Sequence, residues 1–201
     1  MSPAGRRVLD VNDLPDYAFG HRGLMWWGTV GYMVIEGSVF AMLFATYFFL
    51  RFRAAHWPPG PYPDLTLGTV NLVIMLASAV PNQLAMSAAE RFQLGRVRLW
   101  MVVSLLFEIG FLVVRWFEQW RLNTHWDSSA YGSIVWVTLG THTSHVVTDL
   151  ADTVVLTALM FTAHTEPRRF VDVVENSRYW YFVILFWIPV YLIIYWAPRW
   201  L

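Results

Sequence analysis

Five long apolar segments constrain the fold of this chain more than any other feature of its sequence. A helix that crosses the hydrocarbon core of a bilayer needs about 20 mostly apolar residues. Because backbone polar groups find no water there, a spanning segment must be a helix or part of a closed barrel, and no alternating barrel pattern recurs. The sequence therefore predicts an all-α integral membrane protein, a five-transmembrane-helix bundle. The helices are expected at about 24–50, 66–89, 98–120, 132–163 and 179–197.

The composition agrees with a membrane location and excludes several classes of function. The chain is 57% hydrophobic and 14% charged, whereas soluble domains carry about 25% charged residues. Its formal net charge is zero, which argues against a nucleic-acid partner. The absence of cysteine excludes disulfides, thiolate metal sites and CxxC redox chemistry. Residues 1–22 are polar, and we expect them to form an N-terminal segment ahead of a membrane domain at 23–201.

The distribution of arginine predicts the orientation of the bundle. Positively charged residues are enriched on the cytoplasmic side of membrane proteins. One side of the predicted bundle receives nine of the 14 basic residues, three in each of three segments, which leaves five for the other side. The N-terminus is therefore expected in the cytoplasm and the C-terminus outside. The nine are Arg6, Arg7, Arg22, Arg91, Arg96, Arg98, Arg168, Arg169 and Arg178.

Ionisable residues inside the predicted spans are the first candidates for function. A charge at the bilayer centre costs about 2.5–3.5 kcal/mol on insertion scales, so such residues usually face a partner or a cavity. Glu36 lies in the middle of the first span, where it either hydrogen-bonds across a helix interface or takes part in proton or subunit coupling. In the third span, Glu108 lies deep. Arg115 and Glu118 are expected to pair at i, i+3 and to snorkel toward the outer interface.

The fourth span carries His142, His145, Asp149 and Asp152. Their spacing of i, i+3, i+7 and i+10 places all four on one helix face, along a stripe about 15 Å long. We expect this stripe to be a buried polar one that points away from lipid. It is suited to a protein–protein seam, a proton relay or a metal site.

The ligand chemistry argues against a metal in this chain. Histidine and carboxylate ligands suit iron, manganese or zinc. Di-iron helical bundles, however, take Glu-x-x-His from two helices, and that motif does not occur in the sequence. The other histidines fall in predicted tails, loops or helix ends, which leaves no matching set of ligands for His142 and His145.

Four stretches carry motifs in an order that is found in one known family. WWGTVGYMVIEGSVFAMLFATYFFL resembles a helix of that family with a mid-membrane glutamate, and Glu36 takes its place. FEIGFLVVRWFEQW resembles a stretch that ends in a membrane-edge glutamate, matched by Glu118. The signature Gly-x-His-Gly-x-His-Val is matched by GTHTSHVV, and the closing Trp-His-Phe-x-Asp-x-x-Trp helix by YWYFVILFWIPVYLIIYW. The matching positions are Gly140, His142, His145, Val146, Trp180, Phe182 and Trp187.

The family is subunit III of the haem–copper terminal oxidases (cytochrome c oxidase subunit 3), and the chain length resembles its short, five-helix bacterial form. The resemblance implies an accessory subunit in the bacterial plasma membrane, without a catalytic or redox centre of its own. It also implies that subunits I and II are its partners and that haem and copper lie in the catalytic one. Bound phospholipid, proton uptake and complex stability are the expected roles, with Glu36, Glu108 and Glu118 as coupling or lipid-cleft residues.

On this resemblance, we expect Glu36 to face a cleft between the first two helices and the other three. We expect His142 and His145 to tie the fourth helix to its neighbours by hydrogen bonds. The chain departs from the family pattern at Thr143, Asp149, Asp152, Tyr181 and Ile184. These departures keep open an accessory role in a nitric oxide reductase. The ionisable residues also keep open a proton or small-solute transporter and a membrane metal oxygenase.

Overall fold

The computed structural model describes residues 18–162 and 166–200, and its regular elements are all helical. A 3₁₀ turn at Gly20–Arg22 precedes five long helices. These are α1 (Leu24–Arg53), α2 (Leu65–Glu90), α3 (Leu94–Trp120), α4 (Ala130–Met160) and α5 (Pro167–Tyr191). The chain continues from α5 through a π-helical turn, Leu192–Trp196, to a last turn at Ala197–Trp200. Most of the predicted N-terminal segment and residue 163, the predicted end of the fourth span, lie outside the described residues.

Local signals in the connections explain where several helices begin. The carboxylate of Asp64 accepts a hydrogen bond from the backbone N–H of Thr66 at 3.1 Å, which caps α2. The hydroxyl of Ser129 caps α4 through the N–H of Gly132 at 3.1 Å. Pro167 opens α5, at a position where its missing N–H costs nothing. These contacts satisfy donors that the first turn of a helix leaves without intrahelical partners.

The all-helical prediction is confirmed, and four helices of the described chain are long and apolar enough to cross a membrane. They are α1, α2, α3 and the continuous run from Pro167 to Trp200. The fourth predicted span, α4, is not among them. It has 31 residues, but polar side chains interrupt its apolar surface.

The prediction for the last helix was wrong at its start, because α5 begins 12 residues before the expected residue 179. The additional turns are charged on one side and apolar on the other. Phe170, Val173 and Val174 are buried against alanines of α2 and against Met160 of α4. An amphipathic start of this kind is stabilised by packing rather than by overall hydropathy.

The helices pack so that α2 contacts α3 and α5, while α4 contacts α3 and α5. The first helix lies against α4 and α5 and makes at most marginal contact with α2. The expected division into the first two helices and the other three was therefore wrong. A core of large side chains, including Phe111, Trp180 and Trp187, fills the centre.

Candidate functional site

A polar contact between Glu36 and His145 joins α1 to α4. Nε2 of His145 contacts Oε2 of Glu36 directly, and Nδ1 of the same ring lies 2.5 Å from the carbonyl oxygen of Thr141. Because a carbonyl only accepts, Nδ1 carries a proton and donates it. Nε2 then either accepts a hydrogen bond from the protonated Glu36 carboxyl group or, in an imidazolium ion, donates one to the Glu36 carboxylate. In both forms a proton lies between the two side chains.

His142 connects α4 to α5 at the centre of the bundle. Its ring is fully buried, and Nε2 lies 3.1 Å from the carbonyl oxygen of Val183. The rings of Phe40, Phe111 and Trp187 surround it, with centroid separations between 4.9 and 6.3 Å. The expectation that His142 and His145 tie α4 to its neighbours by hydrogen bonds is confirmed. This aromatic enclosure leaves no open space beside the His142 ring.

Glu108 of α3 and Asp149 of α4 are two further buried acids. Both residues are 2% exposed. Both oxygens of Asp149 and Oε2 of Glu108 have no hydrogen-bond partner in the part of the chain that the structure describes. Two buried carboxyl groups without a paired base are costly if both are ionised.

Asp152 was expected to complete the buried stripe, and this expectation was wrong. Its side chain is exposed and lines a cavity of about 470 Å³ between α1, α4 and α5. Ten residues separate it from His142 along α4, and at about 100° per residue its side chain points about 80° away from that of His142 around the helix axis. The polar residues that line the cavity include Tyr32, Asp149, Asp152, Asp172, Glu175 and Tyr179.

Arg169, which lines the cavity, and Arg178, which lies beside the cavity residue Glu175, are already paired with acids of the same helix. Arg169 contacts Asp172 at 3.4 Å, and Arg178 contacts Glu175 directly. The residues that line the cavity therefore include more carboxyl groups than bases. The carboxyl groups in excess are those of Asp149 and Asp152. The sequence reading did not identify Asp172 or Glu175, although the i, i+3 spacing of each acid from its arginine is a usable signal.

Arg115 and Glu118 pair at 2.8 Å, but they do not snorkel as expected. Both side chains are 3% exposed and lie inside the bundle. Glu118 also accepts hydrogen bonds from the Asn71 amide of α2 and the hydroxyl of Tyr195. The guanidinium of Arg115 stacks on Trp187, 4.0 Å from the ring centroid. Glu118 thus joins α2, α3 and the end of the last helix.

No group of three or more His, Asp or Glu side chains with metal-binding geometry occurs within residues 18–162 and 166–200. The two buried histidines are separately engaged, His145 with Glu36 and His142 with Val183. The arrangement is suited to helix–helix contact and proton binding. The functional roles of Glu36, Glu108 and Glu118 stay predictions.

Comparison with known proteins places these features in a family. The family model described as "Cytochrome c oxidase subunit III" matches residues 17–199. The chain is 33% identical over 172 residues to the probable cytochrome c oxidase subunit 3 of Mycobacterium leprae, which covers 84% of this chain and 85% of that protein.

Two further relatives come from other bacteria. Identity to cytochrome c oxidase subunit 3 of Corynebacterium diphtheriae is 34% over 176 residues, with 84% of this chain and 85% of that protein covered. Identity to cytochrome c oxidase subunit 3 of Bacillus subtilis is 30% over 173 residues, with 80% of each chain covered. In each comparison the similarity therefore extends over most of the length of both proteins.

Proposed function

The chain belongs to the cytochrome c oxidase subunit III family, and from this premise we propose that it is a non-redox accessory subunit of a respiratory haem–copper oxidase. The four apolar helices within the described residues and the bacterial relatives make it a protein of the bacterial plasma membrane. In this role it packs on the catalytic subunit I, with subunit II as a further partner. The match over residues 17–199 is the observation that carries the proposal.

The topology of the proposed subunit includes α4 as a fifth span. This helix lies between α1, α3 and α5, so its neighbours cover His142, His145 and Asp149, three of the polar side chains that reduce its hydropathy. Its 31 residues correspond to about 46 Å at 1.5 Å per residue, which exceeds the hydrocarbon thickness of about 30 Å. With five spans, the arginine distribution supports an N-terminus in the cytoplasm and a C-terminus outside.

The redox groups of such a complex belong to the partner subunit. A haem bound by this chain would need an imidazole with open space beside it. The ring of His142 is enclosed by three aromatic side chains, and both nitrogens of His145 are engaged. Haem and copper held by the catalytic subunit would supply the electron transfer and oxygen chemistry, and this chain would support them structurally.

Two finer roles rest on the site. The contact between Glu36 and His145 lies one helical turn from Asp149, and Asp149 lines the cavity between α1, α4 and α5. This succession of polar groups supports a role in proton uptake. The cavity also borders apolar side chains such as Val155 and Leu159, which supports contact with phospholipid acyl chains.

Affinity purification from native membranes tests the proposal. The tagged full-length chain is expected to co-purify with a larger haem-containing subunit that reduces oxygen, and the optical spectrum of the complex is expected to show haem. After dissociation, the haem should remain with the partner. Recovery of the chain without any haem protein, or haem bound stoichiometrically to the chain itself, would contradict the proposal. A partner that reduces nitric oxide instead would indicate the related reductase.

A further inference from the structure

The cavity between α1, α4 and α5 contains a buried carboxyl group with which no described residue pairs. Asp149 is 2% exposed and lines the cavity, and neither of its oxygens has a hydrogen-bond partner among the described residues. Protonation would remove the charge, but the protonated group would still hold a donor and an acceptor without partners. An unpaired buried polar group is costly, so Asp149 favours a ligand that supplies both positive charge and hydrogen-bond donors.

Asp152, three residues further along α4, adds a second acid without a base. Its side chain lines the same cavity, and no ion pair joins it to a basic residue in the part of the chain that the structure covers. Residues at i and i+3 of a helix hold their β-carbons about 5–6 Å apart. Two carboxyl groups at this spacing are matched by two positive charges at a similar separation.

The other acids at the cavity are already compensated by arginines. Asp172 pairs with Arg169 at 3.4 Å, and Glu175 contacts Arg178 directly. A ligand that carries a phosphate beside its ammonium group, as a lipid headgroup does, would meet more carboxyl groups than free bases here. The charges therefore favour a ligand with cationic groups and no anionic one.

The rest of the lining fits an aliphatic chain that carries such groups. The rings of Tyr32 and Tyr179, which border the cavity, lie 5.4 Å apart between centroids, and aromatic rings attract ammonium groups. Val155 and Leu159 give the cavity an apolar wall. Its volume of about 470 Å³ lies in the range of small-molecule sites, about 300–1,000 Å³.

A metal ion fits this lining less well than an organic cation. Hard cations need several oxygen ligands around one point. No group of three His, Asp or Glu side chains that could hold an ion occurs in the described chain. An ammonium group needs only one or two acceptors, because it carries its own hydrogen-bond donors.

We propose that this cavity binds a linear aliphatic diamine, with one ammonium group on Asp149 and the other on Asp152. The ammonium group on Asp149 donates hydrogen bonds to the carboxyl oxygens that lack a partner within the chain. The methylene groups of the ligand contact the apolar wall. The site is built from residues of this chain and does not depend on its role in an oxidase.

Equilibrium binding of radiolabelled putrescine, a linear aliphatic diamine, to the full-length protein in phosphatidylcholine nanodiscs tests the site. This lipid has no primary ammonium group and no net charge. We expect saturable binding, and Asp149→Asn and Asp152→Asn should each weaken it about tenfold or more, the effect of losing a hydrogen bond to a charged group. Asp127→Asn is the matched control, because it removes an exposed acid between α3 and α4 that does not line the cavity; its affinity should equal that of the wild type.

Asp152→Asn protects the test against a variant that fails to fold, because Asp152 is exposed and its replacement does not disturb the core. The absence of saturable binding to the wild type would overturn the proposal. Equal affinities of the wild type and both cavity variants would overturn it as well, since putrescine would then bind elsewhere.

Competing ligands test the chemistry of the occupant. Butylamine has the same carbon chain but a single ammonium group, so it should displace putrescine only at concentrations about tenfold or more higher. Magnesium ions should compete no better than butylamine. Replacement of part of the phosphatidylcholine by phosphatidylethanolamine should leave the affinity for putrescine unchanged. Equal competition by butylamine or magnesium, or weaker binding in phosphatidylethanolamine, would assign the site to a monoamine, a metal ion or a lipid headgroup and overturn the diamine.

Discussion

Glu118 illustrates how burial decides the contribution of a single ion pair. Its carboxylate contacts Arg115, Asn71 and Tyr195, and the ion pair is 3% exposed on both sides. The pair of Arg169 and Asp172 has the same i, i+3 spacing, but its side chains are 38% and 18% exposed. Solvent screens an exposed pair, whereas removal of one partner from a buried pair leaves an uncompensated charge.

We therefore expect Glu118→Ala to destabilise the protein by about 3–5 kcal/mol, the range for breaking a buried pair. Asp172→Ala removes the acid of the exposed pair and should cost at most about 1 kcal/mol. Denaturant unfolding of both variants in detergent, followed by circular dichroism, measures the difference. Equal losses for the two substitutions would show that burial does not set the energetics of these pairs.

At this scale the sequence predicts spacing but not environment. The i, i+3 rule identified the pair of Arg115 and Glu118, yet it assigned them to the membrane interface. Their burial depends on Asn71 and Tyr195, which lie 47 and 77 residues from Glu118. The same limit applies to Asp152, whose side chain lines the cavity between α1, α4 and α5, because spacing along one helix does not reveal a space between three helices.

At Gly68, α2 approaches the end of the last helix so closely that there is no room for a side chain. A β-carbon built at this position of α2 would lie 2.7 Å from the ring of Tyr195. That ring cannot easily move away, because it is 1% exposed and its hydroxyl donates to Glu118. Gly68 therefore permits the close contact between α2 and the end of the last helix.

Gly68→Ala is expected to destabilise the protein by about 1–3 kcal/mol through overpacking. Gly110→Ala in α3 is the matched control, since no atom lies within 4 Å of a β-carbon there. Alanine favours helices over glycine by up to about 1 kcal/mol, so the control should be neutral or stabilising. Thermal unfolding should show a lower unfolding temperature for Gly68→Ala and an equal or higher one for Gly110→Ala. A Gly68→Ala protein as stable as the wild type would contradict the packing argument.

The stability that Asp64 gives to the first turn of α2 is expected to depend on pH. The hydrogen bond from the backbone N–H of Thr66 is the main cause that holds the pKa of Asp64 below its usual value of 3.8. A lowered pKa in the folded state means that ionised Asp64 stabilises the protein above pH 3.8. This contribution is lost as the pH falls through the lowered pKa of the folded state.

Asp64→Asn should retain the cap, because its amide oxygen still accepts from Thr66, but it should lose this pH dependence. Asp64→Ala removes the cap and should cost about 0.5–2 kcal/mol at neutral pH. Unfolding temperatures measured from neutral pH to below pH 3.8 compare the three proteins. Parallel curves for the wild type and Asp64→Asn would show that ionised Asp64 adds nothing to the cap.

Helix positions were predictable where hydropathy alone determines them. The predicted ranges 24–50 and 66–89 differ from α1 and α2 by three residues or fewer at each end. Residues 167–178 were missed because a hydropathy pattern averages the buried face of Phe170 and Val174 with the charges beside it. The contact of α1 with α4 and α5 was also beyond prediction, since an apolar segment carries no information about which neighbour it meets.

The helices differ in how much of their surface is packed against the rest of the bundle, and α1 is the most weakly attached of them. Among the thirty residues of α1, only Phe40 and Tyr47 are buried. Lipid solvates apolar side chains as well as protein does, so helices in a membrane associate through close packing and interhelical hydrogen bonds. The contact of Glu36 with His145 is therefore a major link between α1 and the rest of the bundle.

We expect Glu36→Leu and His145→Leu each to loosen α1 while the contacts among α2, α3 and α5 stay intact. One interhelical hydrogen bond in a membrane is worth about 0.6 kcal/mol, and up to about 2 kcal/mol in favourable cases. Hydrogen–deuterium exchange with mass spectrometry should show faster exchange in peptides from Leu24–Arg53 and unchanged exchange in those from α2 and α3.

Ser38→Ala provides the matched control on the same helix. Its hydroxyl donates to the carbonyl oxygen of Ile35 at 2.6 Å within α1, so its loss removes no link to another helix, and α1 should exchange as in the wild type. The double variant Glu36→Leu, His145→Leu should loosen α1 no more than either single variant, because both remove the same contact. Additive effects of the two substitutions, or equal loosening by Ser38→Ala, would show that α1 is attached by other means than this pair.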